Sequence, residues 1–265
     1  MNTKLIFVAV VVIIGTVWVF NSNNTSIDSE VEVVIEVESE NEMSFFVTSQ
    51  NPGTGANFGG LSGADQYCQL LATEAGAGGK TWKAYLSVAA TDSQDAINAR
   101  DRIGEGPWYN FNGTIIANSV SELHSDNAIN KENALSEKGE SINGRGDSPN
   151  VHDILTGSQP DGTASTDGKD TTCSNWTSQG EGSAIVGHHD RMGLDESESS
   201  KSWNSSHGSR GCSLENLNGT GGGGLLYCFA TEEDTEAPEA GKSVQTKPPS
   251  FSAPMTQPPI GGHTQ

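Results

Sequence analysis

The sequence predicts an α+β domain spanning residues 43–230, with two short helices, a small mostly antiparallel sheet and a long loop region. Three observations carry this prediction. Glycine accounts for 32 of 265 residues and only 33% of the chain is hydrophobic, a composition of turns and loops rather than of long helices. Residues 43–117 alternate strand-like and helix-like patterns before a long polar stretch begins. The last apolar run, "GGGGLLYCFA" at 221–230, reads as a buried closing strand that pairs with the opening one in a single sheet.

Each element follows from its residues. "MSFFVTSQ" at 43–50 is a strand ending at the Asn51-Pro52-Gly53 turn. "LSGADQYCQLLATEAGAGG" is a helix in which Ser62 is the cap and Asp65 the third helical residue. Tyr67, Cys68, Leu70 and Leu71 supply its apolar face, and Gly76 ends it. "WKAYLSV" at 82–88 alternates as a strand does. "DAINARDRIGEGPWYN" at 95–110 reads as a second short amphipathic helix, stopped by Gly104, Gly106 and Pro107, and "GTIIA" at 113–117 as a strand. From Asn118 to Cys212 the chain is polar and nearly without period, which points to loops that carry function or need external fastening. Gly221 to Gly224 lack the Lys-Ser/Thr of a phosphate loop and read as a turn feeding the last strand.

The flanks differ from this domain in composition. Residues 1–20 place Lys4 ahead of sixteen mainly apolar residues, Leu5 to Phe20, a pattern of export. Sixteen helical residues span roughly 24 Å. A signal peptide and a retained N-terminal membrane anchor through residues 5–20 both fit. Residues 21–42 carry seven acids and no base and read as a solvated acidic spacer with one short strand. Residues 231–265 contain six prolines and read as a disordered tail. An exported chain of this kind is extracellular, periplasmic or anchored to the outer face of a membrane.

The net charge of −20 repels phosphate backbones, so nucleic acid is excluded as a partner and divalent cations or neutral ligands are favoured. Cys68, Cys173, Cys212 and Cys228 all fall in the central domain without a CxxC pair. Two disulfides are expected, in one of three connectivities.

A helical cysteine near the start, one near the end and two between them in a loop-rich half resemble the C-type lectin-like fold, and its endostatin-like branch more closely. "GGLSGADQYCQLL" followed by "TWKAYLS", then "GSQPDGTASTDGKDTTCSNW", then "LLYCFA" are similar to that branch's landmarks, in the same order, over about 43–230. The resemblance implies nested disulfides, Cys68–Cys228 and Cys173–Cys212. It also implies a loop calcium that presents a sugar. Gln159, Asp161, Asp170 and Asn204 match the positions of its ligands, all hard oxygen donors. Trp203 and Trp176 would stack on the sugar ring, and Gln159-Pro160-Asp161 would favour a galactose-like ligand. Two departures stand against this: Ser205 replaces the motif's last carboxylate, and the motif-to-cysteine spacings are long. Gln-Pro-Asp-Gly is also an ordinary turn sequence. The zinc held by endostatin's N-terminal histidines is not carried over, because "MSFFVTSQNPG" has no His.

His188-His189-Asp190 is a second cluster. Neighbouring histidines point to different sides of a strand, so the pair is a poor bidentate ligand. With His124, His152 and His207 they read as loop histidines satisfied by hydrogen bonds; a cryptic hydrolase using His188 or His189 is the sharper alternative. No G-x-S-x-G or H-E-x-x-H motif is present. Arg145-Gly146-Asp147, inside "NGRGDSPNVHD", reads either as an adhesion loop or as a turn entering the loop region. Together these features predict a non-catalytic exported binding module that recognises carbohydrate or a surface polymer. An Arg-Gly-Asp adhesion protein is the alternative.

Overall fold

The computed structural model describes residues 43–231 and, outside them, two paired strands, β1 (Val12–Gly15) and β2 (Val31–Val34). β2 falls where a short strand is expected in the acidic segment. The expectations of a signal or anchor, of a solvated spacer and of a disordered tail concern residues that otherwise lie outside the described set.

The domain is mixed α and β, with few helices and a small sheet. In chain order it comprises β3 (Phe45–Val47), α1 (Leu61–Glu74), β4 (Thr81–Ala84), β5 (Trp108–Tyr109), β6 (Ile115–Ala117) and α2 (Val120–Leu123). These are followed by β7 (Asp153–Leu155), α3 (Cys173–Trp176), β8 (Ile185–His188), β9 (His207–Gly208), α4 (Leu214–Asn218) and β10 (Gly222–Thr231). The main sheet runs β3-β10-β7-β8-β9, and β4 also pairs with β10. Only the β10–β7 pairing is parallel. The first and last strands therefore share a sheet, as the sequence predicts.

Both faces of this sheet are buried, and strand alternation divides the core in two. Phe46, Leu226 and Cys228 pack with Leu71, Trp82 and Trp176 beneath α1. Their neighbours Phe45, Val47, Tyr227 and Phe229 point the other way, onto Tyr85, Trp108 and Trp203. Cys68 on α1 is bonded to Cys228 on β10 across 160 residues, and Cys173 to Cys212 across 39. Loop-closure entropy makes the outer bridge worth about 5 kcal/mol and the inner about 4 kcal/mol, as upper values that do not add when nested. Bridges of this kind persist in oxidising compartments, which fits a non-cytosolic protein. Among the described residues no helix is long and apolar enough to cross a membrane.

Three local expectations are corrected. α1 starts two residues earlier than a Ser62 cap requires: Gly60, at φ +85°, is its N-cap, and Ser62 instead accepts a bond from Gln66 within the helix. Asp65 faces the sheet, accepting the Ala84 amide at 3.0 Å and a two-pronged contact from Arg102 at 2.7 and 2.8 Å. The segment 95–110 is not a helix. It holds one 3-10 turn at Ala99–Asp101, because Ile97 exchanges backbone bonds with Val88 and the Arg102 side chain reaches the Ala84 carbonyl. Tertiary partners here override a helical pattern.

α3 is a left-handed turn, with φ between 51° and 66° at all four residues. Each such residue costs roughly 1–2 kcal/mol. The turn is held from several sides: Thr172 accepts the Asn175 amide, Asp170 accepts that of Ser174, Asn175 grips Ala89 through both its amide atoms, and Cys173 is disulfide-bonded.

Gly187, in β8, lies against the 203–204 backbone: an added Cβ would meet the Trp203 carbonyl oxygen at 1.8 Å and the Asn204 amide nitrogen at 2.3 Å. Gly187→Ala is expected to cost about 3 kcal/mol in urea unfolding, near the upper end for overpacking. Gly146→Ala, where the added Cβ meets open space, is expected to cost only about 1 kcal/mol, from its φ of +95°.

Candidate metal centre

Sheet register assembles a cluster that no sequence motif announces. Asp153 opens β7 and lies opposite His188, the last residue of β8. Across the next pairing, His207 of β9 lies opposite Val186, two residues from His188 and hence on the same face. His152, immediately before β7, stacks its ring on that of His188 at 4.2 Å and 10°. Strand formation here is driven by the apolar runs Ile154-Leu155 and Ile185-Val186, and the polar residues ride at the strand ends.

The result is one carboxylate oxygen ringed by imidazoles. Asp153 Oδ1 lies 3.2 Å from His152 Nε2, 3.3 Å from His188 Nε2 and 3.6 Å from His207 Nε2, and the last two nitrogens are 3.1 Å apart. Each ring is tethered by its other nitrogen to an atom that can only accept. His152 Nδ1 meets the Asp190 carboxylate at 3.2 Å, His188 Nδ1 the Ser200 carbonyl at 2.7 Å and His207 Nδ1 the Gly208 carbonyl at 3.1 Å. Each Nδ1 therefore carries a hydrogen, and while the rings are neutral three Nε2 lone pairs converge on a carboxylate.

That is an unusual environment for a buried acid. Asp153 is 2% exposed and, with these tautomers, neither of its side-chain oxygens receives a hydrogen bond. Other buried carboxylates in this domain are satisfied: Glu137 accepts from the amide and hydroxyl of Ser49, and Asp190 accepts from His152, Arg145 N and Met192 N. For Asp190, burial pushes the carboxyl up, but those donors outweigh it and hold it well below the ordinary value. At Asp153 burial again pushes up; it is the approach of His188 and His207 that brings the carboxyl below its usual range, and a proton on either Nε2 would donate to it. His207 is correspondingly raised, chiefly by Asp153, with burial opposing. The cluster thus requires positive charge at its centre, as protons or as a metal ion.

The distances match a metal's needs. A tetrahedral centre with bonds of about 2.05 Å places its ligand atoms about 3.3 Å apart. His152, Asp153 and His188 have their ligand atoms all within 4.8 Å of one another, and so do Asp153, His188 and His207. Three imidazoles suit zinc and its transition-metal neighbours, not calcium. The Nδ1 tethers are the outer-shell bonds that fix ring orientation at metal sites.

The residues predicted from sequence lie elsewhere. Asn204 is buried, and its amide nitrogen donates to Tyr85 OH and to the Gln159 and Pro160 carbonyls, so a donor occupies the place between these oxygens. Gln159 donates to the Ala164 carbonyl. Asp161 closes its own turn onto Thr163, and Asp170 a separate turn onto Thr172 and Ser174. Trp176 and Trp203 are 0% and 3% exposed core residues, so neither offers a ring face to a sugar; Trp176 Nε1 donates to the Ser87 carbonyl. Asp147 pairs with Lys131 at 2.5 Å, not with Arg145, whose amide is held by Asp190. His189 is buried, and burial lowers its pKa; its Nε2 meets the Asn143 carbonyl. His188 joins the cluster through a partner set that sequence reasoning missed: His152, Asp153 and His207. The only signal was three histidines, each next to a short apolar run or a serine-rich turn.

Compared with known proteins, the chain matches no family model and no curated protein.

Asp190 is the keystone of the outer shell. Asp190→Ala is expected to destabilise the metal-free protein by about 2–4 kcal/mol in chemical unfolding, because it strands the His152 ring and two backbone amides in a buried site.

Proposed function

We propose that this domain is an extracytosolic metal-binding module whose centre is a zinc-class ion held by His152, Asp153, His188 and His207. The observation that carries the reading is the buried Asp153 carboxylate, ringed by three Nε2 atoms at 3.2 to 3.6 Å and without a donor while those rings are neutral. The ion would join β7, β8 and β9 and so fasten the loop-rich half of the domain. We also propose that the endostatin-like, C-type lectin-like resemblance extends to the fold. The nested disulfides it implies, and the pairing of the end strands, support this.

Binding of carbohydrate or a surface polymer remains compatible with such a module, but calcium-dependent recognition through Gln159, Asp161, Asp170 and Asn204 draws support from the resemblance alone. Their polar atoms are committed within the protein. The Arg145-Gly146-Asp147 adhesion reading is weakened by the Lys131–Asp147 pair. For a hydrolase, no hydroxyl or thiol pairs with His189 among the described residues, and Ser206 Oγ, 3.3 Å from His188 Nδ1, meets a nitrogen already held by the Ser200 carbonyl at 2.7 Å.

Full-length protein, stripped with a chelator and titrated with zinc against a chromophoric competitor, is expected to bind one equivalent. At a free zinc concentration of 100 times Kd, the gain of about 2.7 kcal/mol corresponds to a Tm rise of about 5–10 °C. Asp153→Ala and His188→Ala are expected to lose both the equivalent and the Tm rise. A wild-type protein that binds no zinc, cobalt or copper would sink the proposal.

A further inference from the structure

The four ligands of the proposed centre are not equivalent, and the difference defines a further binding site. His152, Asp153 and His188 have side chains at most 4% exposed, whereas the His207 side chain is 40% exposed. Their restraints are graded in the same order. His152 is locked by the buried Asp190 carboxylate, itself held by two backbone amides, and is stacked on His188. His188 is locked by the Ser200 carbonyl at 2.7 Å, and its backbone amide by that of Ser202. Beyond an edge-on contact with the His188 ring, His207 is tethered by the carbonyl of its own neighbour, Gly208, and sits on a two-residue strand at the sheet edge, both of whose residues are exposed. It also lies farthest from Asp153 Oδ1, at 3.6 Å.

We infer that His152, Asp153 and His188 are the permanent ligands and that His207 is a displaceable arm, so that the centre carries one exchangeable coordination position opening to solvent at β9. This rests on the metal reading above. Three protein ligands with one open position is the arrangement of zinc centres that bind solutes, whereas sealed structural centres keep four fixed ligands. The position selects its ligand by charge. A divalent ion with one carboxylate and neutral imidazoles keeps a net charge of +1, in a site dry on the Asp153 side, so a monodentate anion that replaces His207 neutralises it. The ligand class is a compact anionic donor, such as a carboxylate or phosphate oxygen.

Cobalt serves as the probe, because its visible spectrum reports ligand exchange. Full-length cobalt-loaded wild type, His207→Ala, His207→Gln and His188→Ala would each be titrated with azide, acetate and inorganic phosphate at fixed pH, with far-ultraviolet circular dichroism confirming the fold. His207→Ala and His207→Gln are expected to keep one equivalent of cobalt, weakened about 10- to 100-fold, the range seen when a supporting contact at a metal site is lost. They are also expected to bind azide at least about 10-fold more tightly than wild type, because the competing imidazole is gone. The acetate and phosphate arms distinguish a carboxylate from a phosphate as the preferred oxygen donor. His188→Ala is expected to lose cobalt altogether.

Loss of cobalt by both His207 variants to the same degree as His188→Ala would make His207 a permanent ligand and overturn this inference while leaving the metal centre standing. Cobalt spectra and anion affinities identical in wild type and the His207 variants would also overturn it, since His207 would then not be a ligand. Absence of cobalt and zinc binding by wild type would remove the centre and this inference together.

Discussion

Everything in the domain hangs on β10. A strand of ten residues is long enough to pair with β7 at its start and with β3 and β4 at its end, and its register sets Cys228 opposite both Phe46 and Ala84. The disulfide to Cys68 brings α1 onto one of its faces, while Tyr227 and Phe229 anchor the aromatic cluster on the other. Because both faces are buried, a slip of one residue would exchange the two sets and place each against the wrong partners. β7, β8 and β9 then extend outward from β10 with progressively less covering, and the histidine–aspartate cluster forms along that gradient.

That gradient explains how one cluster holds both a buried acid and an exposed ligand. Asp153 lies next to the core, where an uncompensated carboxylate is costly, and the compensation available is positive charge supplied between the imidazoles. His207 lies at the sheet edge, where water competes for it and few contacts restrain its ring. The Cys173–Cys212 bridge and the left-handed α3 turn add covalent and hydrogen-bonded restraint to the core beneath α1, into which Cys173, Trp176 and Cys212 are buried.

Local pattern carried far where a residue's neighbours in sequence are also its neighbours in space. The α1 face, with Tyr67, Cys68 and Leu71 buried at helical spacing, was legible, as were the alternation in β3 and the apolar run of β10. It misled at 95–110, where a helical pattern is pulled apart by Val88 on one side and by Asp65 and Ala84 on the other. Asp65 read as a helix-start residue for the same reason: its real partner, Arg102, is far along the chain. The candidate site was hardly legible. His188 was noticed because it stands beside His189, but its working partners come from three separate segments.

Composition and patterning were enough to determine the mixed class, the acidic balance and the apolar end strands, because these depend on local spacing or on charge that needs no geometry; the nested cysteine pairing was implied by the resemblance alone, since spacing leaves three connectivities open. Tertiary structure alone decided the cluster of His152, Asp153, His188 and His207. Two histidines that look alike in sequence, His188 and His189, take opposite roles because strand alternation turns one toward Asp153 and the other toward Asn143. His207 joins them only because β9 pairs with β8 in a register that the intervening loop leaves open, and register is a property of the assembled sheet.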